Sequence, residues 1–277
     1  KRNGGAPGID GMTVEELGQR LDCLLSRARE QIVSGTYRPQ PVKAVEIPKP
    51  GGGKRRLGIP TVLDRGVQQA LLQVLTPIFD PQFSQWNFGF RPSRGTHQAV
   101  KQAQAHIRAG YRWVVDVDLE KFFDRVNHDV LMSLVARRVT DKGALLLIRR
   151  FLQSGILLDG LTSPTVEGTP QGGPISPLLS NIMLNKLDKE LEKRGHRFCR
   201  YADDCNVYVQ SRKAGERLMV SLTGFLWKRF KLKVNPQKSA VDRPWKRQFL
   251  GYSVLSKKSA PLVVSRDRKK RMKSKLK

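Results

Sequence analysis

Two adjacent carboxylates, Asp203 and Asp204, stand in the short segment Tyr201-Ala202-Asp203-Asp204. Like charges side by side are unfavourable unless a cation neutralises them, and hard cations such as Mg²⁺ prefer carboxylate oxygens. With a third acid nearby in the fold, the pair would form a two-metal site for nucleotidyl transfer. Taken alone it fits an ordinary acidic turn equally well, because Asp is common in turns for local hydrogen-bonding reasons.

A second acidic cluster, Asp116 and Asp118, lies within residues 113–119. The segment alternates like a β-strand, so both acids share one face while Val115 and Val117 share the other. By itself such a cluster is typical of a solvated strand edge. Together with the later acid pair it indicates a cleft in which carboxylates from separate strands meet.

The acid pair is predicted to lie at the tip of a β-hairpin. Residues 198–201 lead into it and residues 205–209 lead out, and both segments are rich in the aromatic and β-branched residues typical of strands. After Asp118 the spacing of apolar residues becomes helical over residues 126–134. A strand, its acids and a following helix form a framework that holds carboxylates rigidly.

A loop rich in Gly and Pro spans residues 168–181, between the two acidic clusters. Its glycines allow the backbone to approach a ligand closely. The loop lacks the Gly-Lys-Ser/Thr ending of a Walker phosphate loop. A plain connection between two elements is the alternative, since glycine often marks loops.

The chain is strongly basic, with 51 Lys and Arg against 24 Asp and Glu and a formal net charge of +27. This excess predicts a polyanionic partner such as nucleic acid, bound with an affinity that falls steeply with salt. The basic run in residues 269–277 is assigned to no specific contact, because charge runs are usually solvated.

Other classes of protein are disfavoured. No segment approaches the ~18 consecutive apolar residues of a membrane helix, so no membrane partner is expected. Cys23, Cys199 and Cys205 lack a zinc-ligand spacing, and their odd number argues against a disulfide framework, which makes the cytoplasm the expected compartment.

In their order along the chain, these motifs resemble those of reverse transcriptases, and most of all those of proteins encoded by bacterial group II introns. The resemblance covers nearly the whole chain. The matching motifs are Gly8-Ile9-Asp10-Gly11, Gly89-Phe90-Arg91-Pro92, residues 118–124, residues 168–181, residues 201–204, Asn235-Pro236-Gln237-Lys238-Ser239 and Phe249-Leu250-Gly251-Tyr252.

The resemblance implies an α+β, right-hand polymerase fold. Residues 1–111 would form mainly helical fingers with an N-terminal extension, residues 112–255 a palm whose antiparallel sheet is backed by helices, and residues 256–277 the basic start of a thumb or linker. Only 25 residues follow Tyr252, so we expect the helical thumb to be largely absent and extension by this chain to be weak or distributive. The patterns in the fingers predict helices over residues 13–34, 63–78 and 96–109, and strands over 42–48 and 55–59 around Gly51-Gly52-Gly53.

By resemblance, Asp118, Asp203 and Asp204 are the catalytic acids and hold two Mg²⁺ ions about 3.5–4 Å apart, for which Mn²⁺ can substitute. One ion would activate the primer 3′-hydroxyl, and the other would stabilise the leaving pyrophosphate. Asp116 is the rival for the first position. The family's spacing to an aromatic residue, here Phe123, selects Asp118.

The family also indicates which residues bind the incoming nucleotide. Lys49, Arg55 and Arg56 would clamp its triphosphate, and a mobile basic loop is the alternative. Phe123 would exclude the ribose 2′-hydroxyl, unless it is simply part of the core. Gln171 would pack against the nascent base pair.

Other family positions concern the leaving group and the nucleic-acid strands. Lys238 would protonate or electrostatically stabilise the leaving pyrophosphate. The residues expected at the template and the primer are Arg91, Gly172, Leu250, Gly251 and Tyr252.

The implied function is RNA-directed DNA polymerase activity that serves group II intron mobility. The expected partners are an RNA template, foremost the group II intron RNA, a DNA or RNA primer and dNTPs. Two alternatives stay open: a maturase that binds intron RNA to help it splice without significant polymerisation, and a reverse transcriptase of a retron, CRISPR or defence system. The oligomeric state is not predicted.

Overall fold

The computed structural model describes residues 5–48, 53–158, 161–163, 167–169, 172–257 and 259–275. Within them the α-helices are α1 (Val14–Gln19), α2 (Leu21–Val33), α3 (Val62–Phe79), α4 (Thr96–Arg108), α5 (His128–Val135), α6 (Lys142–Leu152), α7 (Ser176–Lys193), α8 (Arg212–Phe230) and α9 (Arg266–Lys275). The strands are β1 (Val42–Pro48), β2 (Lys54–Ile59), β3 (Trp113–Val117), β4 (Ile156–Leu158), β5 (Leu161–Ser163), β6 (Arg197–Tyr201), β7 (Asp204–Val209), β8 (Ala240–Asp242), β9 (Tyr252–Val254) and β10 (Leu262–Val264). Short 3-10 helices span Asp80–Gln82, Phe122–Arg125 and Pro244–Lys246.

The chain divides into two compact units, each assembled from two stretches of sequence. Unit 1 comprises Lys1–Gln82 and Lys121–Met183, and unit 2 comprises Phe83–Glu120 and Leu184–Lys277. The limits of fingers, palm and thumb that the sequence suggests stay predictions.

Unit 2 is built on a four-stranded antiparallel sheet in the order β6-β7-β3-β8. Helix α4 packs against β6, and α8 packs against β3 and β8. The core joins Ala99, Ala103 and Ile107 of α4 to Val114 and Tyr208 of the sheet. This arrangement confirms the predicted antiparallel sheet backed by helices.

Unit 1 carries a second sheet, in the order β2-β1-β4-β5. Strands β1 and β2 form the predicted antiparallel hairpin, and β1 pairs with β4 in parallel. Helices α2, α3 and α6 share a core with the residues that follow α2. Its buried members are Ala28, Tyr37, Val67, Leu147 and Phe151.

The N-terminal motif at residues 8–11 packs against the start of α3. A side chain at Gly8 would place its Cβ 2.6 Å from the Cα of Thr61, so this close approach requires glycine. Arg65 of α3 donates from Nη2 to the carbonyl of Ala6 at 2.8 Å. The motif is therefore an integral part of unit 1.

The helix predicted over residues 13–34 is interrupted, so α1 and α2 lie on either side of Arg20. Arg20 leaves the helical conformation, with φ −116° and ψ 17°. Gly18 explains the weak point, because a glycine within a helix costs about 1 kcal/mol relative to alanine. By contrast, α3 and α4 match their predicted ranges to within one residue at each end.

All three cysteines are free thiols, in different environments. Cys23 is exposed on α2, whereas Cys199 and Cys205 are buried in β6 and β7. None of the helices in the described part of the chain combines the length and the apolar content needed to cross a bilayer.

Candidate active site

The acid pair lies where the sequence predicted it, at the tip of the β6–β7 hairpin. Tyr201 pairs with Asp204, so Ala202 and Asp203 form a two-residue turn. Ala202 adopts a left-handed conformation with φ 57°. Such a conformation costs a non-glycine residue about 1–3 kcal/mol and persists only where the surroundings enforce it. The turn is therefore held by its neighbours rather than by its own preference.

Acids from two strands meet in one cavity of unit 2. Because Val117 pairs with Cys205, the register places Asp118 beside Asp204. Both acids line a cavity of about 380 Å³. Asp203 is half-buried in the turn and is not among the residues that line this cavity. The remaining lining residues are Asp116, Gln237, Lys238, Arg247, Gln248, Phe249 and Leu250.

Asp116 of β3 and Asp118, the first residue after β3, differ in their partners. Arg247 donates from Nε and Nη2 to Oδ2 of Asp116, at 2.9 and 2.6 Å. Burial raises the pKa of Asp116, and the Arg247 guanidinium counteracts this shift. Asp118 instead has the Lys238 ammonium at 4.0 Å from Oδ2, at the outer limit of an ion pair. The Asp116 carboxylate is thus bound by two hydrogen bonds from Arg247, whereas the Asp118 carboxylate has a weaker contact with Lys238.

The motif at residues 235–239 fixes the backbone of Asp118. The Asp118 amide donates to Oγ of Ser239 at 2.9 Å, and its carbonyl accepts from the Asn235 amide at 2.8 Å. Arg247 also donates from Nη2 to the carbonyl of Lys238 at 2.6 Å. These bonds fasten the predicted pyrophosphate-contacting lysine beside the predicted catalytic acid.

The predicted primer-positioning motif forms a tight turn in unit 2. Phe249 and Tyr252 exchange backbone hydrogen bonds of 2.8 and 3.0 Å. Between them, Leu250 and Gly251 are both left-handed, with φ 53° and 80°. Leu250 lines the cavity that holds the carboxylates, so the structure brings this motif and the acids together.

A buried ion pair lies behind the acid-bearing turn. Arg200 of β6 donates from Nε and Nη2 to the two carboxylate oxygens of Asp188 on α7, at 2.7 and 2.6 Å, and both side chains are fully buried. Its remaining terminal nitrogen, Nη1, donates to the carbonyl of Ala202 at 2.8 Å. Burial raises the pKa of Asp188, and the guanidinium opposes that shift. No local sequence pattern identifies this pair, although an arginine on the buried part of a strand requires a partner.

The segment before α4 packs against the same hairpin. The carbonyl of Arg200 accepts from the Phe88 amide at 2.9 Å, and the Arg200 amide donates to the carbonyl of Trp86 at 2.9 Å. Any side chain at Gly89 would collide with the backbone nitrogen of Ala202. This glycine therefore lets the segment approach the turn closely.

Arg91, predicted at the template, is anchored by its own loop. Its Nη1 donates to the carbonyls of Ser84 and Asn87, at 2.7 and 3.1 Å, and the guanidinium lies over the ring of Phe83. Phe90, beside it, is 54% exposed and contacts the ring of Tyr201. Arg91 is thus a fixed cation rather than a freely rotating one.

The residues predicted to bind the nucleotide belong to unit 1. Lys49 and Gln171 lie outside the described residues, and so does the side chain of Arg55 on β2. Arg56 is exposed and pairs in register with Glu46 of β1.

Phe123, the predicted gate, is half-buried, and its neighbour Phe122 takes the core position at 1% exposure. The two rings pack edge to face, with centroids 5.2 Å apart. Phe123 is therefore not a simple core residue.

The Gly-rich loop is bonded to the backbone around Phe123, within unit 1. The Thr169 amide donates to the Phe123 carbonyl at 2.6 Å, and the Gly168 amide donates to the Val126 carbonyl at 2.8 Å. Gly172, with φ 131°, has no room for a side chain because a Cβ would collide with the carbonyl oxygen of Gly58. Backbone hydrogen bonds therefore hold the start of the predicted substrate loop against the segment that carries Phe123, the predicted gate.

Among the described residues, no three His, Cys, Asp or Glu side chains are gathered so that they could hold a metal ion by themselves. The donor chemistry of the cavity nevertheless fits a hard divalent cation, since Asp118 and Asp204 direct two carboxylates to one space. Mg²⁺ is usually bound by one or two carboxylates, with waters and substrate phosphates as its other ligands. The cavity therefore suits Mg²⁺ that binds together with a phosphate-bearing substrate.

Known proteins resemble this chain over most of its length. Residues 47–254 match the family described as reverse transcriptase (RNA-dependent DNA polymerase). Protein YkfC of Escherichia coli (strain K12) is 34% identical over an alignment of 292 positions, gaps included. The alignment covers 91% of this chain and 77% of that protein. The group II intron-encoded protein LtrA of Lactococcus lactis subsp. cremoris is 40% identical over 161 residues, which cover 58% of this chain and 27% of LtrA.

A solved structure shows the same fold. Telomerase from Candida albicans, in complex with a fragment of telomeric RNA, superposes with a TM-score of 0.61 at 12% identity. The match covers 92% of this chain and 50% of the telomerase chain. At this identity the likeness concerns the fold alone.

Proposed function

The chain belongs to the reverse transcriptase (RNA-dependent DNA polymerase) family, and on this premise we propose that it extends a primer 3′-hydroxyl with dNTPs on an RNA template. The observation that carries the proposal is the cavity of unit 2, in which Asp118 and Asp204 meet beside Lys238 and Leu250. The formal net charge of +27 suits a nucleic-acid substrate.

Membership of this family implies dependence on divalent metal ions. We assign two Mg²⁺ ions, or Mn²⁺ in their place, to Asp118, Asp203 and Asp204. When bound, such ions stabilise the attacking and leaving oxygens of a phosphoryl transfer. Asp203 belongs to this set through its place in the family motif, next to Asp204 in the turn.

The chain's own residues prepare the acids for this task. Ser239 and Asn235 fix the backbone of Asp118, which limits the directions open to its carboxylate. Arg247 binds the Asp116 carboxylate, so of these two neighbouring acids Asp118 is the one available to a metal ion. Lys238 places a positive charge near Asp118, where it would stabilise the leaving pyrophosphate.

In this proposal, unit 1 binds the incoming nucleotide. Arg56, with Lys49 and Arg55, contacts the triphosphate, and Gln171 packs against the nascent base pair. Phe123 acts as the gate against ribonucleotides, supported by its half-buried position beside a buried neighbour. Phe123→Ala should therefore raise ribonucleotide incorporation. An unchanged ratio of dNTP to rNTP use would leave Phe123 with a packing role only.

The template and primer assignments rest on the same family motifs. Arg91 contacts the template as a fixed cation, held by two backbone carbonyls, and Gly172 lies at the nascent pair. The turn Leu250–Gly251 and the adjacent Tyr252 position the primer end. The support for this last role is Leu250, which lines the same cavity as the acids.

Primer extension on an RNA template, with Mg²⁺ and all four dNTPs, tests the proposal. We expect Asp203→Ala and Asp118→Asn to lose at least about a hundredfold in rate, the scale for removing one preorganised electrostatic group at a reaction centre. Asp116→Asn is the matched control, because it lies on the same strand face and still accepts from Arg247. Extension that survives Asp203→Ala and Asp118→Asn would refute the assignment.

The biological role that we propose is that of a group II intron-type reverse transcriptase, supported by the 40% identity to LtrA. A maturase role in splicing is the second candidate, favoured by the basic excess of the chain. Tight, specific binding of intron RNA without any extension would favour the maturase. A cytoplasmic location belongs to the same proposal, and the three free thiols are compatible with it.

A further inference from the structure

The buried pair Arg200–Asp188 has more contacts than a simple ion pair needs. Two nitrogens of the guanidinium satisfy Asp188, and the third, Nη1, donates to the carbonyl of Ala202. Ala202 is the first residue of the turn that carries the two acids. The pair thus connects helix α7, through the guanidinium, to the peptide that leads into Asp203.

The conformation of the turn gives this third hydrogen bond its importance. Ala202 is left-handed and buried, so its backbone would relax to a more favourable conformation without external contacts. Two contacts oppose that relaxation. One is the hydrogen bond from Arg200, and the other is the close approach of Gly89 to the Ala202 backbone.

Stability alone does not account for the pair. Apolar side chains of similar volume often replace a buried ion pair at no loss, or with a gain, because both charges need no longer be desolvated. An apolar pair could fill the space behind the turn, but it could not donate to the Ala202 carbonyl. What distinguishes arginine here is its ability to bind a carboxylate and a carbonyl at once.

We infer that Arg200, held by Asp188, is a positioning residue that fixes the turn at Ala202 so that Asp203 and Asp204 present their carboxylates to the divalent cation. This inference rests on the proposed function of those two acids. In this role the Arg200–Asp188 pair lies behind the hairpin, supports the backbone of the turn, and contacts neither the substrate nor the metal ion. Outer supports of metal ligands typically affect metal affinity or activity by about 10–100-fold.

The decisive variant is Arg200→Met/Asp188→Leu, which exchanges the pair for apolar side chains. We expect its thermal midpoint to be at or above that of the unmodified protein. Its Mn²⁺ affinity, measured by electron paramagnetic resonance with primer–template and a non-hydrolysable dNTP analogue present, should fall about 10–100-fold, and the Mg²⁺ concentration for half-maximal primer extension should rise by a similar factor. A folded double variant with unchanged Mn²⁺ affinity and Mg²⁺ dependence would overturn the inference.

Controls separate this effect from general damage. Arg194→Gln/Glu190→Gln removes a partly exposed ion pair of 2.8 Å at the end of the same helix and should leave both metal readouts unchanged. If the apolar double variant does not fold, Arg200→Lys replaces it. A lysine keeps the charge but cannot span the three acceptors, so the same metal shift is expected, and its absence would again overturn the inference. If the unmodified protein extends no primer, the proposed function fails, while the Mn²⁺ comparison still tests the positioning role.

Discussion

Unit 1 and unit 2 each bury a carboxylate, and the two units compensate its charge in different ways. Asp64 of unit 1 accepts from the Tyr37 hydroxyl at 2.7 Å, the Thr61 hydroxyl at 2.8 Å and the Gln40 amide at 3.1 Å. All three donors are neutral. Asp188 of unit 2 instead accepts hydrogen bonds of 2.7 and 2.6 Å from the Arg200 guanidinium, which is a charged donor.

The difference shows what a charged partner adds. The hydrogen bonds of Asp64 stabilise the start of α3. Thr61, the residue before this helix, donates from its hydroxyl to the Asp64 carboxylate and accepts from the Asp64 amide. A guanidinium has five N–H donors, so after satisfying an acid it can bind a third group. Unit 1 therefore uses its buried acid to stabilise the start of a helix, and unit 2 uses its acid to hold an arginine against the turn that contains Asp203.

Of the substitutions that distinguish the buried acid of unit 2 from that of unit 1, Asp188→Asn is expected to have the largest effect on stability. It leaves the Arg200 charge buried without a counter-charge, which should lower the free energy of unfolding of unit 2 by about 3–5 kcal/mol. Urea unfolding followed by tryptophan fluorescence measures this, because all four tryptophans, Trp86, Trp113, Trp227 and Trp245, lie in unit 2. A loss below about 1 kcal/mol would show that the pair is not a tightly coupled buried one.

Asp64→Asn should have a smaller effect, of about 1–3 kcal/mol, the range for one buried polar group left unsatisfied. The amide keeps an acceptor oxygen, while its NH₂ group meets at least one of the existing donors. Hydrogen exchange of the α3 amides follows this loss within unit 1. If Asp64→Asn destabilises as much as Asp188→Asn, the contrast between neutral and charged compensation is wrong.

A buried histidine of unit 2 makes the stability of that unit depend on pH. Burial lowers the pKa of His106 in unit 2 to about 4, whereas a histidine in an unfolded chain titrates near 6.5. Between these values the unfolded chain binds more protons, so stability falls as the pH falls through this window. From pH 7 to pH 5 we expect a loss about 1–2 kcal/mol greater than in His106→Gln. Identical pH profiles for the two proteins would contradict this.

Burial acts on Asp64 in the opposite direction. It raises the pKa of this carboxyl, against the effect of its three hydrogen bonds. The folded state then binds more protons than the unfolded chain, so this group favours folding as the pH falls. Subtracting the His106→Gln profile from that of the unmodified protein cancels this contribution, because Asp64 is present in both.

The smallest effect is expected at the exposed ion pair of unit 1. Lys54 Nζ lies 2.7 Å from Glu46 Oε2, with both side chains open to solvent. Glu46→Gln should leave the unfolding midpoint unchanged within error, at low and at high salt, because exposed pairs are screened and gain little. A clear salt-dependent loss would show that the β1–β2 hairpin depends on this contact.

Local chemistry explains which parts of the site could be predicted from the sequence. The hairpin around Asp203 follows from strand alternation and turn composition, which act over a few residues. The meeting of Asp118 with Asp204 depends on the pairing of two distant segments, and in the sequence the family motifs implied it. The family's spacing to Phe123 favoured Asp118 over Asp116 from the sequence alone, but the partner of Asp116 is visible only in the structure, because Arg247 lies 131 positions away. No local pattern specifies such a partner.

The Arg200–Asp188 pair illustrates the same limit on a shorter scale. The two residues are only 12 positions apart, yet they belong to a strand and to a helix whose packing is decided by the whole core of unit 2. An arginine buried within a strand must have a partner, but the sequence does not identify that partner. The break of the first predicted helix at Arg20 is a similar case. The helical spacing of apolar residues runs through this position, but the backbone of Arg20 is not helical.

The unequal burial of the three thiols has a practical consequence. A thiolate is the species that reacts with electrophiles, and burial raises the pKa of Cys199 in the interior of the sheet. Cys205 is buried beside it, while Cys23 is exposed on α2. A maleimide dye should therefore label Cys23 alone in the folded protein, without any cysteine being removed. Such a dye would report on unit 1 at a wavelength distinct from the indole emission of unit 2, giving each unit its own optical signal.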